Sequence, residues 1–274
     1  MSSLITTQEL AGRLGAPDLR VIDGSWHLEG RDACADFQRV HIPGAVFFDL
    51  ETVSDRDSSL PHMLPSVEVF ARSMGALGLS VDDHIVVYDT LGLFSAARVW
   101  WMLRAMGARR VQVLDGGLPK WAAESRPLTG EPTEIAPAIF DVQRDPIAVA
   151  TLADVRGAPS EGVQIIDARG ASRFRGEAPE PRAGVRSGHI PGAINLPYAR
   201  LLNDNGAMKR GEALRRVFVD AGVDLDKPVT TSCGSGVTAA ILSLGLAELG
   251  KPSRLYDGSW SEWGSLADTA VETG

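Results

Sequence analysis

The chain has 274 residues, of which 44% are hydrophobic and 23% charged, so it holds more core-forming side chains than one average domain needs and is not a disordered chain. A formal charge of -8 argues against nucleic acid or an anionic membrane as the main partner, while leaving room for a local basic pocket. Its two cysteines, Cys34 and Cys233, lie in different halves, which argues against a disulfide framework, and no Cys-x-x-Cys or His-Glu-x-x-His spacing points to a metal site.

The first nine residues have no basic start and no apolar run of signal length. No stretch reaches about 18 consecutive apolar residues. A reduced, cytoplasmic protein with no membrane partner is therefore expected. Val21-Ile22-Asp23 is a short β-branched run, followed by His41-Ile42-Pro43-Gly44-Ala45. Residues 85–88 and 111–114 read as buried strands, with a helix predicted over 95–106 between them. Asp115-Gly116-Gly117 and Asp257-Gly258-Ser259 read as turns, and the tryptophan-rich run at 99–104 as packing. Residues 125–150 carry Pro127, Pro132, Pro137 and Pro146 and read as a linker along the surface.

The same order of elements then recurs. Ile165-Ile166-Asp167 repeats Val21-Ile22-Asp23, and His189-Ile190-Pro191-Gly192-Ala193 repeats His41 to Ala45. Tyr256-Asp257-Gly258-Ser259 with Trp263 repeats Leu114-Asp115-Gly116-Gly117 with Trp121. The offset is near 143 residues, so two α/β domains are expected, 1–124 and 151–274, each a mainly parallel sheet flanked by helices. The halves differ in two places. Asp23 to His41 spans 18 residues but Asp167 to His189 spans 22, and the extra length falls in Arg173-Phe174-Arg175-Gly176-Glu177-Ala178-Pro179-Glu180-Pro181-Arg182. The first half is longer around residues 51–62. Matching the strands without a gap sets Cys233 against Thr90, so one half alone keeps a thiol at this point. Active sites of duplicated chains often draw loops from both halves, and that is expected here.

Cys233-Gly234-Ser235-Gly236-Val237-Thr238-Ala239 is the stretch richest in chemistry. Val229 to Thr231 reads as a strand running into the cysteine, and a helix is predicted over 237–249. The glycines permit a sharp turn whose N–H groups point inward, beside the positive end of the helix dipole. A thiol so placed is favoured as thiolate, the nucleophilic form. Ser235 also reads as a helix N-cap. Arg173, Arg175, Arg182 and Arg186 read equally well as solvated surface charges, and His62 alone reads as structural. His41 and His189 read as structural, and Cys34, with no turn or helix start beside it, as non-catalytic.

The paired His-Ile-Pro-Gly-Ala segments, the run at 99–107, and Tyr256-Asp257-Gly258-Ser259-Trp260-Ser261-Glu262-Trp263 resemble tandem-domain rhodaneses over nearly the whole chain. Within that group the cysteine loop resembles the 3-mercaptopyruvate sulfurtransferases. Thiosulfate-using members typically place an Arg-Lys pair after the cysteine, where this chain has Gly234 and Ser235. The resemblance implies a Cys233 persulfide carrying sulfur from 3-mercaptopyruvate to a thiol, such as that of a thioredoxin-like protein, or to cyanide. It implies Arg173 and Arg182 as donor-binding residues, with the loop positions Gly234, Gly236, Val237 and Thr238. It implies a catalytic set of Cys233, Ser235, His62 and Glu51, the last three as a proton relay, with aspartate in some relatives where this chain has Glu51. No cofactor or metal is implied, and two fold units in one chain favour a monomer.

Four other functions compete. A thiosulfate:cyanide sulfurtransferase shares the fold, the nucleophile and the persulfide and is the alternative reading. Gly234-x-Gly236-x-x-Ala239, with Asp257 further on, mimics a dinucleotide fingerprint but ignores Cys233. A cysteine phosphatase of this fold needs arginine six residues after the cysteine, where this chain has Ala239. A binding-only pseudoenzyme is at odds with the intact cysteine loop.

Overall fold

The computed structural model describes residues 2–274. They form two compact units. One holds the residues up to Arg56 with Leu64–Asp145 and Asn203–Met208; the other holds Asp57–Met63, Pro146–Leu202 and Lys209–Gly274.

The first unit has five strands, β1 (Leu4–Ile5), β2 (Leu19–Asp23), β3 (Ala45–Phe47), β4 (His84–Tyr88) and β5 (Arg110–Leu114), in the order β1-β5-β4-β2-β3. The second has β6 (Val149–Ala150), β7 (Gln164–Asp167), β8 (Ile194–Asn195), β9 (Val229–Ser232) and β10 (Arg254–Tyr256), in the order β6-β10-β9-β7-β8. Every pairing in both sheets is parallel. The α/β architecture expected from the sequence is thus present twice with one topology. All five residues of β4 are buried, which explains its uninterrupted apolar reading.

The duplication extends to details that sequence identity hides. The first helix of each unit opens on a reciprocal capping box, Thr6 with Glu9 and Thr151 with Asp154. Each unit buries tryptophan against its sheet. Trp121 packs with Leu10, Ile42 and Tyr88, and Trp263 packs with Val155, Ile190 and Tyr256. Both indoles donate 2.8 Å hydrogen bonds to a carbonyl a few residues on, Trp121 to Pro127 and Trp263 to Ala270. The proline-rich stretch runs along the first unit: Thr129 pairs with His41, and the Thr133 hydroxyl donates to the Ala45 carbonyl at 2.7 Å.

Candidate active site

Central strand β9 ends at Ser232, and Cys233 follows at the carboxyl end of the sheet, where open parallel sheets hold their ligands. Cys233 is 2% exposed. The helix begins at Ala239, two residues later than the hydrophobic period predicts, because Gly236 takes a left-handed turn (φ 76°) and residues 237–238 still belong to the loop. Gly236 supplies the turn; Gly234, which has no such φ, serves another purpose described below.

The loop is held from behind by Tyr256-Asp257-Gly258-Ser259-Trp260-Ser261, part of the segment that carries the repeat and the family resemblance. The Cys233 carbonyl accepts from Trp260 N (2.9 Å), and the Gly234 carbonyl accepts from both Ser261 N (2.8 Å) and Ser261 Oγ (2.6 Å). Cys233 N donates to Ser259 Oγ at 3.2 Å, and that hydroxyl donates on to the Tyr256 carbonyl at 2.8 Å. Tying these carbonyls to the Ser259–Trp263 helix fixes the peptide planes at the start of the loop.

The first unit shows what such a loop does with an anion. Sheet register corrects the gap-free match of Cys233 to Thr90. Asp23 lies opposite Tyr88 as Asp167 lies opposite Ser232, so the residue equivalent to Cys233 is Asp89, and the first loop is one residue longer before its helix. The Asp89 carboxylate is buried and accepts hydrogen bonds from the backbone N–H groups of Leu91 (2.9 Å), Phe94 (2.7 Å) and Ala96 (2.9 Å). Burial raises its pKa while those N–H groups pull it down. The first unit's loop is thus filled by a carboxylate of its own chain, where the second unit's loop bears a thiol.

On one flank of the cysteine loop, His62 Nδ1 lies 3.1 Å from Ser235 Oγ. Both residues are buried and both belong to the second unit, although His62 comes from residues 57–63. His62 has a left-handed backbone (φ 58°), a conformation uncommon for a side chain of this size. Glu51 belongs to the first unit, in the short helix Leu50–Val53, and its carboxylate accepts from the Trp26 indole at 2.7 Å.

On the other flank stands the arginine segment. Arg173, in the short helix Ala171–Phe174, brings its guanidinium up to Gly234: a Cβ built there would meet Nη2 at 3.1 Å and Nη1 at 4.0 Å. Its Nε (3.3 Å) and Nη2 donate to the buried carboxylate of Glu180. Glu180 also accepts from Nη1 of Arg169 at 2.8 Å. Arg169 is itself buried; it grips Asp167 through Nε and Nη2, donates to the Gly188 carbonyl, and lies 4.6 Å from the Trp260 ring centre. Burial works against that charge, but Asp167 and Glu180 outweigh it and hold the guanidinium pKa above its ordinary value. Arg182 is half-buried two residues past Glu180. Two other arginines have structural partners: Arg175 pairs with Glu177, and Arg186 caps the carbonyls of Trp263, Gly264, Leu266 and Thr269. The family resemblance implied Arg173 and Arg182, and nothing in the sequence pointed to Glu180, Arg169, Ser259 or Ser261.

The family model for the rhodanese-like domain matches twice, over residues 6–124 and 151–266. The chain belongs to the rhodanese family. Its second rhodanese domain carries the cysteine loop, and its first carries Asp89 in the same position. The chain is 47% identical to the 3-mercaptopyruvate sulfurtransferase of Escherichia coli (strain K12) over 268 residues, covering 96% of this chain and 95% of that protein. It is 45% identical to the human 3-mercaptopyruvate sulfurtransferase over 95% of this chain and 91% of that one. It is also 45% identical to the thiosulfate sulfurtransferase of Gallus gallus, over 92% of this chain and 88% of that protein. The crystal structure of SseA from Escherichia coli, described as showing the rhodanese fold of 3-mercaptopyruvate sulfotransferases, superposes with a TM-score of 0.87 at 43% identity, covering 95% of this chain and 99% of that chain.

The recurring histidines of the two rhodanese domains do the same local work. His41 Nδ1 is 2.7 Å from the Phe37 carbonyl and its ring stacks on Phe37; His189 Nδ1 is 2.8 Å from the Phe174 carbonyl and its ring stacks on Phe174. Cys34 is exposed on the helix Ala33–Arg39, 3.7 Å from the Gln38 amide nitrogen. Among the described residues no helix is long and apolar enough to cross a membrane, and no group of three or more His, Cys, Asp or Glu could hold a metal ion.

Proposed function

We propose that this chain is a sulfurtransferase that moves sulfur from 3-mercaptopyruvate through a persulfide on Cys233 to a thiol or cyanide acceptor, releasing pyruvate. The observation that carries this reading is Gly234: a Cβ there would stand 3.1 Å from Nη2 of Arg173, so the bare backbone lets the guanidinium approach the loop next to the nucleophile. A thiosulfate dianion suits basic residues on the loop itself. A donor with one carboxylate and a thiol suits a neutral loop with a guanidinium standing off it.

In the first half-reaction the Cys233 thiolate attacks the donor sulfur. The new S–S bond forms as the donor C–S bond breaks, and its electron pair leaves as the enolate of pyruvate. Arg173 and Arg182 bind the carboxylate and keto oxygen and stabilise the developing enolate charge. The donor's thiol proton passes through Ser235 and His62, aided by Glu51, to the former methylene carbon, giving pyruvate and a persulfide anion. Gly234, Gly236, Val237 and Thr238 contribute backbone around the terminal sulfur, in the manner of the N–H groups around Asp89. In the second half-reaction an acceptor thiolate or cyanide takes that sulfur and the Cys233 thiolate is regenerated. A thioredoxin-like protein is the acceptor in this reading, and the chain acts as a monomer in the cytoplasm.

Treatment with 3-mercaptopyruvate should add the mass of one sulfur atom to the protein and release pyruvate. Cys233→Ser should do neither, and pyruvate release at the normal rate from that variant overturns the reading. The relative from Gallus gallus favours thiosulfate as the alternative donor. Comparing kcat/KM for the two donors with cyanide as acceptor decides between them, and a higher value for thiosulfate selects the alternative.

A further inference from the structure

Glu180 is buried although the charged pair beside it, Arg175 and Glu177, is exposed. Its side chain is 4% exposed, and it is shared between two arginines. Toward Arg169 it completes a buried charge pair that already has Asp167. Toward Arg173 it takes the edge formed by Nε and Nη2. A guanidinium has five donors arranged along its edges, so the end formed by Nη1 and Nη2 still has hydrogens to give. That end is the one facing Gly234, both of its nitrogens lying within 4.0 Å of the point where a Cβ would stand. A long arginine would ordinarily move aside for a small side chain at little cost. Here even a small shift pulls against the bonds to Glu180, and Glu180 is anchored in turn by Arg169.

We propose that Glu180 is a positioning residue for donor binding: it clamps Arg173 in the volume left open by Gly234, so that the free end of the guanidinium is presented beside Cys233 to the donor carboxylate. This rests on the reading of Arg173 as a donor-binding residue. Gly234 and Glu180 are two halves of one specificity device. A side chain at position 234 would crowd the clamped guanidinium, since its Cβ alone would stand 3.1 Å from Nη2, and a basic one would set a second cation near the first.

The test is steady-state kinetics of the full chain with 3-mercaptopyruvate as donor and cyanide as acceptor, on Glu180→Gln, Arg173→Ala and the double variant, with folding checked by circular dichroism. Arg173→Ala should raise KM for the donor by roughly tenfold or more, the loss expected for a charge-assisted contact. Glu180→Gln should raise KM by several-fold to roughly tenfold with a smaller effect on kcat, and should add almost nothing in the Arg173→Ala background. A folded Glu180→Gln protein with unchanged KM, or one whose effect persists in full without Arg173, overturns the proposal while leaving Arg173 in its donor-binding role. An Arg173→Ala protein with unchanged KM overturns that role instead. Should Glu180→Gln fail to fold, Gly234→Ala reads the same device from the other side: KM must rise, and the rise must vanish in the Arg173→Ala background.

Discussion

His62 Nδ1 and Ser235 Oγ stand 3.1 Å apart although 173 residues separate them along the chain. Both are buried, so the contact is screened from competing water. A general acid–base pair contributes on the order of 10²–10⁴-fold to rate. His62→Ala should therefore lower kcat for 3-mercaptopyruvate by about that factor and flatten its pH profile. Ser235→Ala added to it should cost little more, because the proposed relay makes the two one unit. An unchanged kcat and pH profile in His62→Ala would remove the relay.

Ser259 offers a stability test. Its hydroxyl is fully buried, accepting from Cys233 N and donating to the Tyr256 carbonyl. Ser259→Ala strands both backbone groups, and a buried group left unpaired costs about 1–3 kcal/mol. Urea unfolding should show a loss of that size, accompanied by a fall in activity. Unfolding coincident with the parent protein would show that the loop does not depend on this hydroxyl.

The match of Asp89 to Cys233 predicts an unusual tolerance. A carboxylate placed at random in a protein interior costs several kcal/mol. Cys233→Asp should unfold within about 1 kcal/mol of Cys233→Ala at neutral pH, because backbone N–H groups can take up the charge as they do at Asp89. Both variants should be inert toward the donor. A Cys233→Asp protein several kcal/mol less stable than Cys233→Ala would show that the second loop is no anion cradle.

Asp23 and Asp167 are equivalent, but Asp167 faces the guanidinium of Arg169 where Asp23 has Ser25. Burial pushes the Asp23 carboxyl up to about 6, against hydrogen bonds from Ser25 and Tyr88 and with Asp89 adding to the rise. A carboxyl raised on folding stabilises the fold most below its unfolded value of 3.8, and that contribution is lost as pH rises through 6. The loss over this window is about 3 kcal/mol. Asp23→Asn, which cannot ionise, should match the parent near pH 4 and exceed it by about 1–3 kcal/mol at pH 7.5 in urea unfolding. A difference that did not change with pH would contradict this.

The fold was legible because strands buried on both faces read as apolar runs and because the chain repeats them in order. Cys233 was legible because a glycine turn followed a β-branched run. The one-residue error that paired it with Thr90 has a physical source: Asp89 and the helix at Ala96 enclose one more residue than Cys233 and the helix at Ala239, and only strand register places that extra residue. Glu180 was hidden among charges of both signs. Residues 173–182 hold Arg173, Arg175, Glu177, Glu180 and Arg182, and spacing alone does not say that Arg175 takes Glu177 while Arg173 takes Glu180. Ser259 and Ser261 went unmarked because their partners are backbone groups, among them the carbonyls of Tyr256 and Gly234, and those leave no mark in a sequence.

Residues 57–63 are encoded in the first half of the chain but pack with the second unit, and Asn203–Met208 make the reverse exchange. The boundary drawn by gene duplication and the boundary drawn by packing therefore disagree. No single cut separates the two copies into self-sufficient pieces: a fragment beginning at Pro146 would keep the thiol and the arginines but lack His62. Each copy is thus completed by a short segment that the chain encodes within its twin.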